Sequence, residues 1–162
     1  LAQQAGHAAL LAEALGSLPD ARYRYALIDS PNQISPIMEN AILPAELFVI
    51  PFESTKAVTS YAGVYQLITK LKTDGSYATL HVLNNLARPG LRKAVINFMR
   101  EEGIPLARTE IRSCGWLAKV DRHGGSIFNY RPRSRGAHDI IKLKQEILAT
   151  LPTIPHGEHL KT

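Results

Sequence analysis

The stretch RYALIDSPNQISPIMENAILPAELFVIP, residues 24–51, decides how the rest of the chain is organised. It opens with the apolar run 25–28 and closes with a second apolar run, 47–50, which Pro51 ends. A segment of helical length lies between the two runs. Two short apolar runs around a helix are typical of a βαβ unit whose parallel strands are buried on both faces.

Asp29 and Ser30 follow the first apolar run directly. In open parallel sheets, ligands bind at the carboxyl ends of the strands. This position therefore places the Asp29 carboxylate where a phosphate-bound metal ion can lie. Asp and Ser are also common helix caps. From this segment alone, a metal ligand and a cap of the following helix are equally good interpretations of Asp29.

The size and composition of the chain fit an ordinary globular protein, with 162 residues, 45% hydrophobic and 20% charged. No apolar run reaches the roughly 20 residues of a membrane span, and no basic leader precedes an apolar core at the start. The single Cys114 excludes an internal disulfide and a cysteine-based zinc cluster. We therefore expect a cytoplasmic protein without a membrane role. The net charge of +5 permits a polyanionic partner.

Helices and strands alternate along residues 1–151, which we predict to form a single domain followed by a loose tail at 152–162. The alternation predicts an α/β fold with a mostly parallel sheet and helices on both faces. The predicted helices cover 1–16, 35–43, 56–72, 91–102 and 137–150. The predicted strands cover 25–28, 47–50, 77–83 and 106–111. Residues 126–130 are predicted to be extended.

An apolar strand that ends in Asp is the Walker B pattern, in which the carboxylate holds the magnesium ion of a nucleotide, usually through water. This pattern normally accompanies the phosphate loop G-x-x-x-x-G-K-[ST]. The sequence contains no such loop, and its glycine pair at 124–125 has no lysine partner. The chain as given therefore cannot cradle a triphosphate in the usual way.

Asn84 ends a different predicted strand and is followed by Asn85. Its amide has the donor and acceptor needed to pair with the edge of an adenine base at the same rim of the sheet. The alternative is a turn-forming Asn pair, which is the more common role of this residue type where nothing else points to a ligand.

Basic residues concentrate in the second half of the chain. Phosphate backbones are attracted to such surfaces. A charge-rich stretch is more often a plain solvated face, but here the local excess of one sign favours a polyanion. The candidates for contact with such a polyanion are Arg88, Arg92, Lys93, Arg122, Arg131, Arg133 and Arg135.

Taken in order, the motifs between residues 10 and 148 resemble the C-terminal two-thirds of deviant-Walker ATPases of the ParA/MinD/Soj group. Residues 23–31, YRYALIDSP, look like the family's Y-D-Y-hhh-D-x-P, its Walker B and switch II. Residues 38–42, MENAI, match a helix motif around N-A-L, and residues 45–51, AELFVIP, match A-D-x-h-h-h-P. Residues 130–137, YRPRSRGA, are similar to Y-x-P-x-S-x-G-A before the last helix.

The resemblance implies a P-loop NTPase-like fold of the SIMIBI type that is N-terminally incomplete. It further implies a homodimer of the sandwich type that forms with ATP and binds DNA nonspecifically. Such a protein would act in plasmid or chromosome partition and would be stimulated by a ParB-like protein. By the same resemblance, Asp29 would hold Mg²⁺ through water, with Ser30 and Pro31 beside it at the cofactor. Asn84, in the sequence VLNN, would contact adenine.

Three departures from the family pattern limit this expectation. The deviant Walker A loop K-G-G-x-G-K-[ST], with both catalytic lysines, is absent from the sequence, and so is switch I. Arg112 stands where the family usually has a proline near the base. No catalytic set is therefore complete, and we expect ATP hydrolysis from a full-length family member and none from this chain alone. The alternatives are a non-catalytic ParA-like DNA- or protein-binding module and an unrelated α/β domain.

Overall fold

Helices alternate with parallel strands in the computed structural model, which describes residues 9–18, 23–31, 33–86 and 88–151. The predicted α/β class is confirmed. The elements are α1 (Leu10–Gly16), α2 (Pro36–Ile42), β1 (Leu47–Phe52), α3 (Thr55–Leu71), β2 (Ala78–Leu83), α4 (Pro89–Glu101), a 3₁₀ turn (Leu117–Lys119), α5 (Val120–His123), α6 (Ile127–Tyr130) and α7 (Arg135–Thr150).

The described residues divide into two compact units. The first unit contains residues 9–46 and 61–77, and the second contains residues 47–60 and 78–151, with the gaps given above. The predicted bounds of one domain, 1–151, stay a prediction, and the predicted tail lies outside the described residues.

The sheet belongs to the second unit. Strand β1 pairs in parallel with β2, in a register that runs from Leu47 opposite Ala78 to Phe52 opposite Leu83. The predicted strand 106–111 joins β2 through two parallel bridges at its ends and is not a continuous ladder in between. The backbone N–H groups of residues 108 and 109 point instead to the carboxylate of Glu146 on α7, at 2.8 and 2.9 Å.

Helix α7 covers one face of this sheet. Leu80 and Val82 of β2 alternate toward it and form a core with Ile111, as expected for a strand whose side chains repeat every two residues. Helix α7 contributes apolar side chains at helical spacing. The partly buried residues packed on this core are Leu47, Ala107, Leu117, Ile140, Leu143 and Ile147.

The opposite face of β2 carries His81, whose ring lies 6.2 Å from the ring of Phe52. Nδ1 of His81 lies 3.0 Å from the carbonyl oxygen of Pro105. Burial lowers the pKa of His81, because the charged imidazolium would lose its hydration. The residue is therefore a neutral member of the core near pH 7.

The prediction of a strand at residues 25–28 is wrong. These residues belong to an irregular segment, and Leu27 is 97% exposed. A strand needs a neighbour for its backbone N–H and C=O groups, and none of the described residues pairs with this segment. Apolar composition alone predicted the strand, but strand formation depends on the partner.

Helix α2 begins at Pro36 because Ser35 caps it, with its Oγ accepting a hydrogen bond from the N–H of Met38 at 3.4 Å. Asp29 therefore does not cap this helix, and that interpretation of the carboxylate is wrong. The buried face of α2 carries Met38, Ala41 and Ile42, at positions i, i+3 and i+4.

The segment 126–130, predicted to be extended, contains the short helix α6. Ser126 caps it by accepting a hydrogen bond from the N–H of Phe128 at 3.3 Å. The extended prediction is therefore wrong, because a local side-chain cap decides the conformation of a segment too short to show a period. No helix in the described part of the chain is long and apolar enough to cross a bilayer.

Candidate functional site

Asn84 lies at the carboxyl end of β2, in the second unit. Its backbone N–H donates to the carbonyl of Phe52 at 3.0 Å, and it bridges in parallel with Ile111. Asn85 follows with a φ of 52°, and its N–H donates to the carbonyl of Ile111 at 2.7 Å. Among the described residues, no hydrogen bond uses the carboxamide of Asn84.

A shallow cavity of about 360 Å³ lies at the same end of the sheet. The residues on both sides of Ile111 contribute to its wall, which joins three guanidinium groups and one carboxylate. Its volume is at the lower end of what small-molecule sites occupy. The lining residues are Leu86, Arg92, Glu110, Arg112, Ser113 and Arg135.

Two of these arginines are already paired with carboxylates. Arg92 binds both oxygens of Glu110, with the shortest contact at 2.8 Å. Arg112 donates to Asp139 through its backbone N–H at 3.1 Å, Nε at 3.0 Å and Nη2 at 2.6 Å. The side chain of Asp139 is buried, and hydrogen bonding from Arg112 lowers the pKa of this carboxyl. Two of the three arginines in the wall are therefore paired with carboxylates of the protein itself.

The predicted cofactor residues Asp29, Ser30 and Pro31 lie in the first unit and are exposed. They belong to no helix or strand, and the described residues donate no hydrogen bond to the Asp29 carboxylate. The described residues also contain no group of three or more His, Cys, Asp or Glu side chains able to hold a metal ion. The role of Asp29 as a magnesium ligand stays a prediction.

Comparison with known proteins identifies relatives of the chain. It is 27% identical to a ParA family protein of Chlamydia trachomatis over 139 residues, which cover 82% of this chain and 54% of the relative. A ParA family protein of Chlamydia muridarum is 26% identical with the same coverage. The chain is therefore similar to ParA family proteins over most of its length. It spans about half the length of these relatives, and no protein-family model matches it.

The fold of this ParA-like chain matches a solved structure. The crystal structure of the cell division ATPase MinD from Pyrococcus furiosus superposes with a TM-score of 0.63 and 24% identity. The match covers 88% of this chain and 59% of that chain. At this level of identity the likeness shows the fold, so the predicted P-loop NTPase-like architecture is confirmed.

The basic residues predicted to contact DNA all lie in the second unit of the ParA-like chain, but in different environments. Arg92 is held by Glu110, and Arg135 donates to the carbonyl of Ser113 at 2.8 Å. Arg131 lies over the ring of Trp116, with Cζ 4.2 Å from the centroid. The remaining candidates are exposed and make no ion pair with a described residue: Arg88, Lys93, Arg122 and Arg133.

Sequence reasoning missed two residues that organise this region, Asp139 and Trp116. Asp139 fixes Arg112, while Trp116 holds both Arg131 and Lys119, whose Nζ lies 5.0 Å from the ring centroid. The spacing of Trp116 and Lys119, three residues apart, was visible in the sequence. Nothing in the sequence indicated that Arg131 would return to the same ring, because that contact depends on the fold of the intervening loop.

Proposed function

We propose that this chain is the larger part of a ParA-like partition ATPase, whose whole protein binds ATP with Mg²⁺, dimerises and binds DNA nonspecifically. Its likeness to ParA family proteins over 82% of its length carries the proposal. The fold shared with an ATPase supports it. A ParB-like stimulatory protein belongs to the same proposal.

The described residues fit one part of a nucleotide. The carboxamide of Asn84 offers a donor and an acceptor, which is the pair that reads the N6 and N7 edge of adenine. It stands at the strand end where parallel sheets bind ligands. In this role Asn84 would orient the base, and the wall formed by Arg92, Glu110 and Arg112 would limit the space beside it.

The chain does not fit the triphosphate, since its sequence holds no phosphate loop. When bound, Mg²⁺ would neutralise charge on the phosphates, and Asp29 is the carboxylate that the Walker B pattern assigns to it. We derive no hydrolytic step from the residues present. We propose instead that the phosphate loop comes from the remaining part of the longer protein.

The test uses the protein expressed from its complete reading frame. We expect magnesium-dependent binding of ATP, measured by isothermal titration calorimetry. Asn84→Ala weakens ATP binding by roughly tenfold, the loss of one good hydrogen-bonded pair. Asn129→Ala, which removes an exposed carboxamide on α6, is the control and leaves the affinity unchanged. Absence of magnesium-dependent ATP binding in that protein contradicts the proposal.

A second candidate is a non-catalytic ParA-like module that binds DNA or a protein without using ATP. The absent phosphate loop and the exposed cations of the second unit favour it. A salt titration of binding to duplex DNA, with and without ATP, separates the two candidates. Binding that weakens steeply with salt and ignores ATP supports the module, whereas binding that requires ATP supports the partition ATPase.

A further inference from the structure

Trp116 is the one tryptophan of the chain, and two cations lie against its ring. Cζ of Arg131 is 4.2 Å from the ring centroid, and Nζ of Lys119 is 5.0 Å away. Both distances fall within the range in which the ring quadrupole attracts a cation. The side chain is 37% exposed, so the cluster is open to solvent and to large partners.

The backbone holds this arrangement in place from two sides. The carbonyl of Trp116 accepts hydrogen bonds from the N–H of Lys119, at 3.2 Å, and from the hydroxyl of Tyr130. The N–H of Arg131 donates to the carbonyl of Ile127 at 2.8 Å. The two cations therefore stand at the ends of separate short helical elements, each of which is held by backbone hydrogen bonds.

Neither cation makes an ion pair with a carboxylate whose side chain the structure describes. The ion pairs among the described side chains join Arg92, Arg108 and Arg112 to glutamate or aspartate, and none of them involves Lys119 or Arg131. Two positive charges gathered on one ring repel each other, and a bridging anion relieves that repulsion. A pair of preorganised cations also loses less side-chain entropy on binding than two independent long side chains.

We propose that Trp116 is a positioning residue, which gathers Lys119 and Arg131 into one site for the phosphodiester groups of a nucleic-acid backbone. The site is an exposed cluster outside the cavity at the strand end, which suits a polymer lying across the surface better than an enclosed small molecule. No polar group that would read base edges is part of it. The inference rests on the proposed DNA binding and assigns the residues that would carry it.

The test compares variants of the 162-residue chain in binding to a duplex oligonucleotide at several salt concentrations. Trp116→Leu removes the ring without changing the net charge, and Trp116→Tyr keeps an aromatic face. Phe128→Leu is the matched control, because Phe128 is 39% exposed in the same unit and no cation lies over its ring among the described residues. Lys119→Gln and Arg131→Gln each remove one charge.

We expect Lys119→Gln and Arg131→Gln each to reduce the slope of log K against log salt by about 0.9, the value for one phosphate contact. Trp116→Leu reduces the slope by roughly 1 to 2 and weakens binding about 3- to 10-fold. Trp116→Tyr should keep most of the wild-type salt slope and most of the wild-type affinity. Phe128→Leu should change neither the slope nor the affinity. A smaller slope at constant net charge is a result that a purely structural role of Trp116 does not produce.

The emission of Trp116 gives a second readout, since no other tryptophan contributes. We expect it to shift or quench on addition of DNA, with the same midpoint as binding. If the wild-type chain binds DNA and Trp116→Leu leaves the salt slope unchanged, the positioning role is wrong and the proposed DNA binding stands. If the wild-type chain does not bind DNA at low salt, the site assigned to Lys119 and Arg131 is overturned, whereas the ATP-dependent DNA binding proposed for the whole protein is decided by the salt titration with ATP.

Discussion

Gly136, the second residue of α7, lies where a side chain does not fit. A Cβ atom there would stand 2.7 Å from Cγ of Leu117 and 3.2 Å from Sγ of Cys114. We expect Gly136→Ala to destabilise the protein by about 1–3 kcal/mol, because either the helix or Leu117 must shift to relieve the overlap. Chemical denaturation of the variant and the wild type measures the difference.

The control for this prediction is Gly90→Ala in α4, where a Cβ would meet nothing within 4 Å. Alanine is the better helix former, so this variant should gain up to about 1 kcal/mol or remain unchanged. Equal destabilisation by the two variants would show that close packing at Gly136 is not the cause.

Asp139 supplies a second prediction at the same scale, because hydrogen bonding from Arg112 holds the pKa of this carboxyl below its usual range. A depressed folded pKa contributes stability that is present above the unfolded value of about 4 and is lost as the pH falls through the folded pKa. We expect Asp139→Asn to cost about 1–3 kcal/mol at pH 7, since charge-assisted hydrogen bonds are replaced by neutral ones.

The difference in the free energy of unfolding between the wild type and Asp139→Asn should become smaller as the pH falls below about 4. Urea denaturation at pH 7, 5, 4 and 3 measures it. The control is Glu101→Gln, because Glu101 is exposed and makes no ion pair with a described residue. Its free energy of unfolding should differ from that of the wild type by much less at every pH. A destabilisation that stays constant across this range contradicts the assigned role of the carboxylate.

At the scale of elements, α7 closes the sheet edge formed by residues 106–111. Its Glu146 accepts hydrogen bonds from the N–H groups of Arg108, at 2.8 Å, and Thr109, at 2.9 Å. We expect Glu146→Ala to cost about 2 kcal/mol, because two backbone donors lose their partners. Hydrogen exchange at these two amides should accelerate more than exchange within β2.

Gln145→Ala on the same helix is the control, since Gln145 is exposed and makes no hydrogen bond to a described residue. It should leave exchange at residues 108 and 109 unchanged. If Glu146→Ala also leaves these amides protected, the edge is closed by something other than the carboxylate.

The elements also show what the sequence was able to predict. Long helices such as α3 and α7 were predicted within a few residues, because apolar periodicity and a serine cap are local signals. The strand predicted at 25–28 is absent from the structure, because an apolar run becomes a strand only when a neighbour pairs with it. Asn84 was placed at the carboxyl end of a strand from its position alone, whereas Trp116 and Asp139 act through contacts that only the folded loop creates.

At the scale of the whole molecule, behaviour in solution depends on which apolar side chains meet water. Within the first unit, several exposed residues lie close in sequence: Tyr23, Tyr25, Leu27, Ile34 and Ile37. Clusters of exposed apolar residues promote association with other surfaces or with further copies of the same chain. We therefore expect the isolated 162-residue chain to bind a hydrophobic dye and to self-associate as its concentration rises.

Leu27→Glu tests this expectation, because Leu27 is 97% exposed in the part of the chain that the structure describes. The variant should associate less in light scattering and bind less dye, while its free energy of unfolding stays within about 0.5 kcal/mol of the wild type. Ile68→Glu, at a position 1% exposed in the same unit, is the contrasting variant and should unfold the protein. Loss of stability in Leu27→Glu would contradict this expectation, because it would show that the side chain of Leu27 is packed in solution.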